Sequence, residues 1–236
     1  MNEFKDNNKV VQANQFITQT NWEMSLTPLK LFKILVSCLD TKKANNDGVV
    51  RISKKDLYSM FDYKDDTNYT FLKRQMNQLQ DVKVKILQPN GDVLVSVLVP
   101  NVIWKASEDV IECEFNKKIV PYLVDLKKNY LSYDVSLLKF MTSKYSIIIY
   151  EVVKSLIYEP NQEWLISVEE LRRITGTQDK YKNFNLFKTK VLETAKEEIN
   201  QFSDIVIRYD TIKTGRKITK IKFYSRKKKS YNDQTY

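Results

Sequence analysis

The segments "RISKKDL" (Arg51 to Leu57) and "LISVEEL" (Leu165 to Leu171) carry one pattern, Ile-Ser-x-x-acid-Leu, at a separation of 114 residues. Whatever one copy folds into, the other should fold into as well, and a chain of 236 residues divides naturally into two domains of about 110 residues. In each copy a serine stands three residues before an acid at the head of an apolar run. Ser53 and Ser167 can therefore cap helices, and Asp56 and Glu170 can reach back to the caps.

The surroundings of the two copies also correspond. Ahead of the first, Thr27 to Asp40 places Leu31, Phe32, Leu35, Val36 and Leu39 at helical spacing, with Pro28 suited to the first turn; ahead of the second, Ser136 to Tyr158 reads as one longer helix. A short strand leads into each echo. Beyond a polar loop come "NYTFLKRQMNQL" from Asn68 and "NFNLFKTKVLET" from Asn183, which align at an offset of 115: Asn68 on Asn183, Tyr69 on Phe184, Leu72 on Phe187, Lys73 on Lys188.

Each copy then gives a hairpin. The first pairs "VKVKIL" (Val82 to Leu87) with "DVLVSVLVP" (Asp92 to Pro100) across Asn90-Gly91, a dipeptide suited to a two-residue turn. The second pairs "DIVIRYD" with "KITKIKFY" around Gly215, and there Ile221 and Phe223 alternate with Lys220 and Lys222, one face to pack and one to present cations. Helix, strand, helix, helix, hairpin is the order of a winged helix. The expected fold is α+β, two tandem winged-helix domains related by an internal pseudo-repeat, at residues 1–129 and 130–229 with a polar tail at 230–236. No Gly- or Pro-rich linker separates the halves, and "VLVSVLVPNVIW" (Val93 to Trp104) is assigned to the core rather than to a dimer surface.

Charge and missing residues narrow the function. Lys and Arg number 39 against 29 Asp and Glu, a formal +10, and Ile205 to Lys229 alone holds ten basic residues and one acid. A cationic hairpin fits a polyanion, and its strand-like alternation lacks the helical face of a membrane binder. With no histidine, the triads and zinc sites that need imidazole are excluded, and the four glycines are too scattered for a phosphate loop. The neighbouring acids Asp65-Asp66, Glu169-Glu170 and Glu197-Glu198 do not face each other on a helix and read as solvated surface acids. The expectation is a DNA-binding protein with no enzymatic activity, no metal and no cofactor. Cys38 and Cys113 suit reduced core thiols, and without an apparent signal peptide or apolar span the expected location is the cytoplasm, away from membranes.

Periodicity nominates the residues that meet DNA. In the second long helix, Phe184, Phe187, Val191, Ala195, Ile199 and Phe202 form one stripe expected in the core. Opposite lie Lys182, Asn185, Leu186, Thr189, Lys190 and Glu193, where Lys suits guanine, Asn suits adenine and the Leu or Thr methyl suits thymine's methyl, while Lys188 beside the stripe suits a phosphate. In the hairpin, Arg208, Lys213, Arg216, Lys217, Lys220 and Lys222 suit phosphates, because no rigid helix aims them. The first copy buries Tyr69, Leu72, Met76 and Leu79 and exposes Thr67, Thr70, Arg74 and Asn77.

Four segments carry a family resemblance: "VVQANQFI" followed by "SLTPLKLFKIL", "SKYSIIIYEVV" (Ser143 to Val153), "YKNFNLFKTKVLETAKEEIN" (Tyr181 to Asn200) and "GRKITKIKF" (Gly215 to Phe223). Together they resemble the iteron-binding plasmid replication initiators of the RepA/RepB/RepE type, over nearly the whole chain, with Lys30 where many members have Arg. The resemblance implies binding of double-stranded DNA as a monomer at directly repeated origin sequences, help in opening adjacent AT-rich DNA, and recruitment of host initiator and helicase proteins. It further implies self-association through the first domain into a dimer that binds an inverted repeat and represses its own gene. A double winged-helix transcriptional regulator would share the charge and the echo but lack partners and repeated sites. A DNA-organising protein would not need two distinct reading faces.

Overall fold

In the computed structural model both echoed serines start helices. The Ser53 side chain accepts from the Asp56 N–H at 2.9 Å and the Ser167 side chain from the Glu170 N–H at 3.0 Å, so each satisfies one donor that a helix start leaves free. The Glu170 carboxylate, expected to reach back to the cap, takes two hydrogen bonds from Arg173. The structure describes residues 8–41, 47–63, 68–156 and 163–228, and the chain divides into units Met1–Phe140 and Met141–Tyr236.

The first unit runs β1 (Lys9–Ala13), α1 (Asn14–Gln19), α2 (Leu26–Ser37), β2 (Val49–Ser53), α3 (Lys54–Ser59), α4 (Tyr69–Asp81), β3 (Lys83–Leu87), β4 (Val93–Val97), β5 (Asn101–Trp104), β6 (Val110–Glu114), β7 (Tyr130–Asp134) and α5 (Leu137–Phe140). The strand preceding the echo, β2, pairs with β6, and β6 with β5. The wing of this unit is therefore β5–β6, and the expected hairpin, β3–β4, is a separate two-stranded sheet inserted before it. A turn signal marks a hairpin but does not say which sheet the hairpin joins.

The turn itself is also longer than expected. Gly91 N–H donates to the Gln88 carbonyl and Gln88 N–H to the Asp92 carbonyl, enclosing three residues, and Gly91 alone of them has a positive φ, at 90°. The apolar run expected in the core splits between core and surface. Leu98 and Val99 are fully buried, whereas Val93 (55% exposed), Val95 (53%) and Ile103 (49%) face outward. On β3–β4, Leu87 opposes Val93 and Lys85 opposes Val95, so these exposed residues share one face.

The boundary lies later than residue 129, because β7 pairs with β1 from Lys9↔Asp134 to Ala13↔Tyr130 and the ladder is extended by Asn14 N–H to the Asn129 carbonyl. The first core centres on Phe16, whose ring meets Trp22 edge-on at 5.4 Å and stacks on Tyr122 at 5.4 Å, with Phe32 and Phe115 beyond. Lys33 is completely buried in it, donating to Gln12 Oε1 at 2.7 Å with its ammonium 4.2 Å from the Trp22 ring centre. Cys38 and Cys113 are both free, and burial pushes the Cys38 thiol up to about 12, so it stays protonated and unreactive at neutral pH.

The second unit comprises α6 (Lys144–Leu156), β8 (Glu163–Ser167), α7 (Val168–Thr175), a continuous helical segment from Phe184 to Phe202, β9 (Ile205–Thr214) and β10 (Lys217–Lys227). The single helix expected over 136–158 is two, interrupted at 141–143; residues 157 and 158 lie outside the described set. The interruption has a cause in Glu198, whose carboxylate accepts from the Thr142 and Ser143 N–H groups at 3.2 Å and from the Thr142 hydroxyl. Glu198 is thus an anchor for the start of α6 rather than a solvated acid. Asp65 and Asp66, read the same way, lie outside the described residues, as does the 230–236 tail.

Candidate nucleic-acid interface

The second reading helix begins where the Asn183 side chain accepts from the Asn185 N–H at 2.8 Å. It consists of α8 (Phe184–Phe187), a wide π-helical stretch over Lys188–Glu193, and α9 (Thr194–Phe202). The wide stretch answers a problem in the sequence. Phe187, Val191, Ala195 and Ile199 recur every four residues, and at about 100° per residue each step overshoots a full turn by about 40°. Hydrogen bonding from i to i+5 takes up the excess, and all four are fully buried. The Thr194 hydroxyl adds a bond of that span to the Thr189 carbonyl at 3.1 Å. Uniform helical periodicity could not foresee this: Leu192, which it left unplaced, is buried, while Phe184 is half-buried and Phe202 is 37% exposed, both having been expected in the core.

Lys182, Asn185, Leu186, Lys188, Thr189 and Lys190 are all exposed on this segment, and Leu186 keeps 53% of its surface in solvent. Glu193 stands apart from them. It is half-buried, accepts from the Tyr209 hydroxyl of β9 and from Lys196, and lies 4.0 Å from Lys188. These donors, with the Lys196 hydrogen bond the largest influence, hold its carboxyl below the usual range; burial and the bond to Glu193 push the Tyr209 hydroxyl up. The pair latches helix to wing, with Tyr209 opposite Phe223 in the sheet, a register that no local signal in the sequence gives.

In the second sheet, ordered β8-β10-β9, Ile221 and Phe223 are buried and Trp164 stacks on Phe223 at 5.6 Å. The outward face carries Arg208, Lys220 and Lys222 at cross-strand positions Lys220↔Ile212, Lys222↔Asp210 and Tyr224↔Arg208. Lys222 is half-buried and bonded to Glu163 at 2.7 Å, and the Arg208 guanidinium lies 3.7 Å from the Tyr224 ring centre. Lys213, Arg216 and Lys217 cluster instead at the tip, exposed around the Gly215–Arg216 turn. The candidates thus form three groups: a helix face, a wing tip and an outer sheet face.

In the first unit Thr70, Arg74 and Asn77 are exposed on α4; Thr67 lies outside the described residues. Leu72, Met76 and Leu79 are buried as the stripe required, but Tyr69 is half-buried, its ring edge-on to Trp104 at 5.1 Å. Among the described residues Asn68 makes no side-chain cap, unlike Asn183. The wings also differ in charge. The β5–β6 connection and flanks carry Glu108, Asp109, Glu112 and Glu114, with Arg51 held by Glu112 at 2.7 Å, so this wing lacks the cationic excess of β9–β10.

Residues 9–154 match the family model for the initiator replication protein, WH1, and residues 167–225 that for the initiator Rep protein, WH2. The chain belongs to the initiator replication protein family. The two family domains correspond to the two winged helices, although α6 falls within the first match and within the second unit. A replication initiation protein of Escherichia coli is 31% identical over 117 residues, 48% of this chain and 35% of that protein, so the match spans about a third of the relative's length. The crystal structure of Pi initiator protein in complex with iteron DNA superposes with a TM-score of 0.74 at 22% identity, covering 94% of this chain and 98% of that one. That likeness establishes the shared fold. Among the described residues no helix is long and apolar enough to cross a membrane.

The latch gives a pH-dependent expectation. A carboxyl whose value is lowered on folding stabilises the native contact above the ordinary carboxylate range and loses that contribution as pH falls through the folded value. Protection of the β9 amides relative to their intrinsic exchange rate should therefore fall as Glu193 protonates, and Tyr209→Phe should lower it already at neutral pH. Equal protection in the variant and the parent at both pH values would dismiss the latch.

Proposed function

We propose that this chain is a plasmid replication initiator that binds directly repeated origin sequences through its two winged helices, with the second unit as the principal reader of bases. The observation that carries the reading is the pairing, in one unit, of an N-capped helix exposing Lys182, Asn185, Leu186, Thr189 and Lys190 with a hairpin tip exposing Lys213, Arg216 and Lys217. The helix supplies donors and a methyl-contacting Leu at fixed spacing for a major groove, and the tip supplies cations for flanking phosphates. A protein of the same fold has been solved in complex with iteron DNA, which supports repeated origin DNA as the target. The first unit contributes α4, with Arg74 and Asn77 as contacts, but its acidic wing limits it to a lesser share of phosphate binding.

Opening of adjacent DNA, recruitment of host initiator and helicase proteins, and autorepression as a dimer complete the proposal. For the dimer, the exposed Leu87, Val93 and Val95 on one face of β3–β4 supply an apolar surface in the first unit. Neither origin binding nor repression asks the protein to make or break a bond.

A nuclease footprint on DNA flanking the gene tests the reading: several same-direction repeats at one- or two-turn phasing are expected. A lone inverted repeat would favour a transcriptional regulator, and no protection would end the DNA-binding proposal. Lys190→Ala should lower affinity for the repeat by about 1–3 kcal/mol while sparing random DNA, whereas Lys217→Ala should weaken both and reduce the salt slope by about one. Identical losses from both variants on both DNAs would remove the division of labour. Val95→Lys should shift the self-association equilibrium towards monomer in sedimentation; an unchanged distribution would move the dimer surface elsewhere.

A further inference from the structure

The two copies of the repeat differ at one position with a visible consequence. At the 114-residue offset that superposes the echoes, Arg172 of the second copy falls on Tyr58 of the first. The Arg172 guanidinium donates from one terminal nitrogen to the Thr177 carbonyl at 3.1 Å and the Lys180 carbonyl at 2.8 Å, and from the other to the Tyr181 carbonyl at 2.7 Å. Its face lies 4.3 Å from the Phe187 ring centre. One side chain of α7 thus holds both ends of the connection to the reading helix and stacks on that helix's innermost residue.

The connection needs holding. It leaves α7 through Gly176, left-handed at φ 60°, where the Thr177 N–H donates back to the Arg172 carbonyl at 2.9 Å. It ends at Tyr181, a non-glycine residue at φ 51°, a backbone state that is costly unless its surroundings enforce it. Enforcement comes from Arg172 on the Tyr181 carbonyl and from Tyr145 of α6, whose ring meets that of Tyr181 edge-on at 6.1 Å. Among the described residues Arg172 has no carboxylate partner. Carbonyl dipoles and an aromatic face alone compensate it, and a lysine could not span three acceptors with one planar fork.

We propose that Arg172 is a positioning residue for sequence reading: by clasping the Thr177–Tyr181 turn to Phe187, it fixes the direction in which Lys182, Asn185 and Leu186 leave the helix start. Most of its donors are committed inside the protein, so it acts through those residues and not on a phosphate. The inference rests on the DNA-reading role proposed for this unit.

The test uses the full chain with Arg172→Met, which keeps an apolar stem against Phe187 but no donors, and Arg172→Lys, which keeps the charge but not the fork. Each is titrated with a duplex carrying the footprinted repeat and with a random duplex over a range of salt, and turn exchange is followed in the free protein. Both variants should expose the 177–183 amides to faster exchange and lower the repeat-to-random affinity ratio by about tenfold or more, with random-duplex affinity and salt slope unchanged. Restoration of the ratio by Lys would show that charge alone suffices and overturn the clasp. A salt slope reduced by about one with equal losses on both duplexes would make Arg172 a phosphate ligand and overturn it too. An open turn with an intact ratio would show that the turn's order is not read. If the parent itself fails to discriminate, the function proposed for the unit falls first and the clasp with it.

Discussion

Both units depend on a strand pairing that closes only after the helices between the two strands have been laid down. In the second unit β8 is laid down before the two helices that form the reading motif, yet its partner is the last strand: Ile166 opposes Ile221 and Trp164 opposes Phe223. In the first unit β2 waits likewise for β6, with Ile52 opposite Ile111. Each helix-turn-helix is therefore enclosed by a sheet whose two edges lie far apart in sequence. Such pairing is slow to form because loop closure precedes the contacts that reward it. It also gives the sheet an apolar face, with Ile221 and Phe223 fully buried or nearly so and Trp164 stacked on Phe223.

One scaffold then serves two different surfaces. The second unit has a capped helix start, a cationic hairpin and an arginine clasp; the first has an uncapped helix start, an acidic wing and an extra hairpin with exposed valines. Repetition preserved the pieces that fold, the capping serine and the buried Ile and Leu of each echo. The solvent-facing pieces differ, and they carry the surfaces proposed for binding and self-association. A buried lysine in one core and a glutamate anchoring α6 in the other show that charged residues also hold the scaffold together.

Local signals were legible in the sequence wherever one short segment determines its own structure. Ser53 and Ser167 cap, Gly91 turns, and Ile221 and Phe223 face inward, because each needs only its neighbours within a few residues. What escaped depends on distant partners. Whether a hairpin is wing or insertion turns on β2 choosing β6; the 129 boundary failed because β7 returns to β1; the break at 141–143 is stabilised by Glu198, some 55 residues on. In the candidate interface, exposure of Lys190 or Asn185 followed from periodicity, but the fate of Glu193 needed Tyr209, a residue on another strand.

The wide helical stretch over Lys188–Glu193 makes the reading helix a jointed ruler rather than a rigid rod. After the joint Ala195 and Ile199 are committed to packing, whereas Asn185 and Leu186 before it face solvent. Over the wide stretch itself Val191 and Leu192 pack inward while Lys188, Thr189 and Lys190 face solvent, so one widened turn keeps a buried and an exposed side in register. A substitution at exposed Lys188, Thr189 or Lys190 therefore changes the surface of this helix and leaves the packing of Phe187, Val191, Ala195 and Ile199 in place.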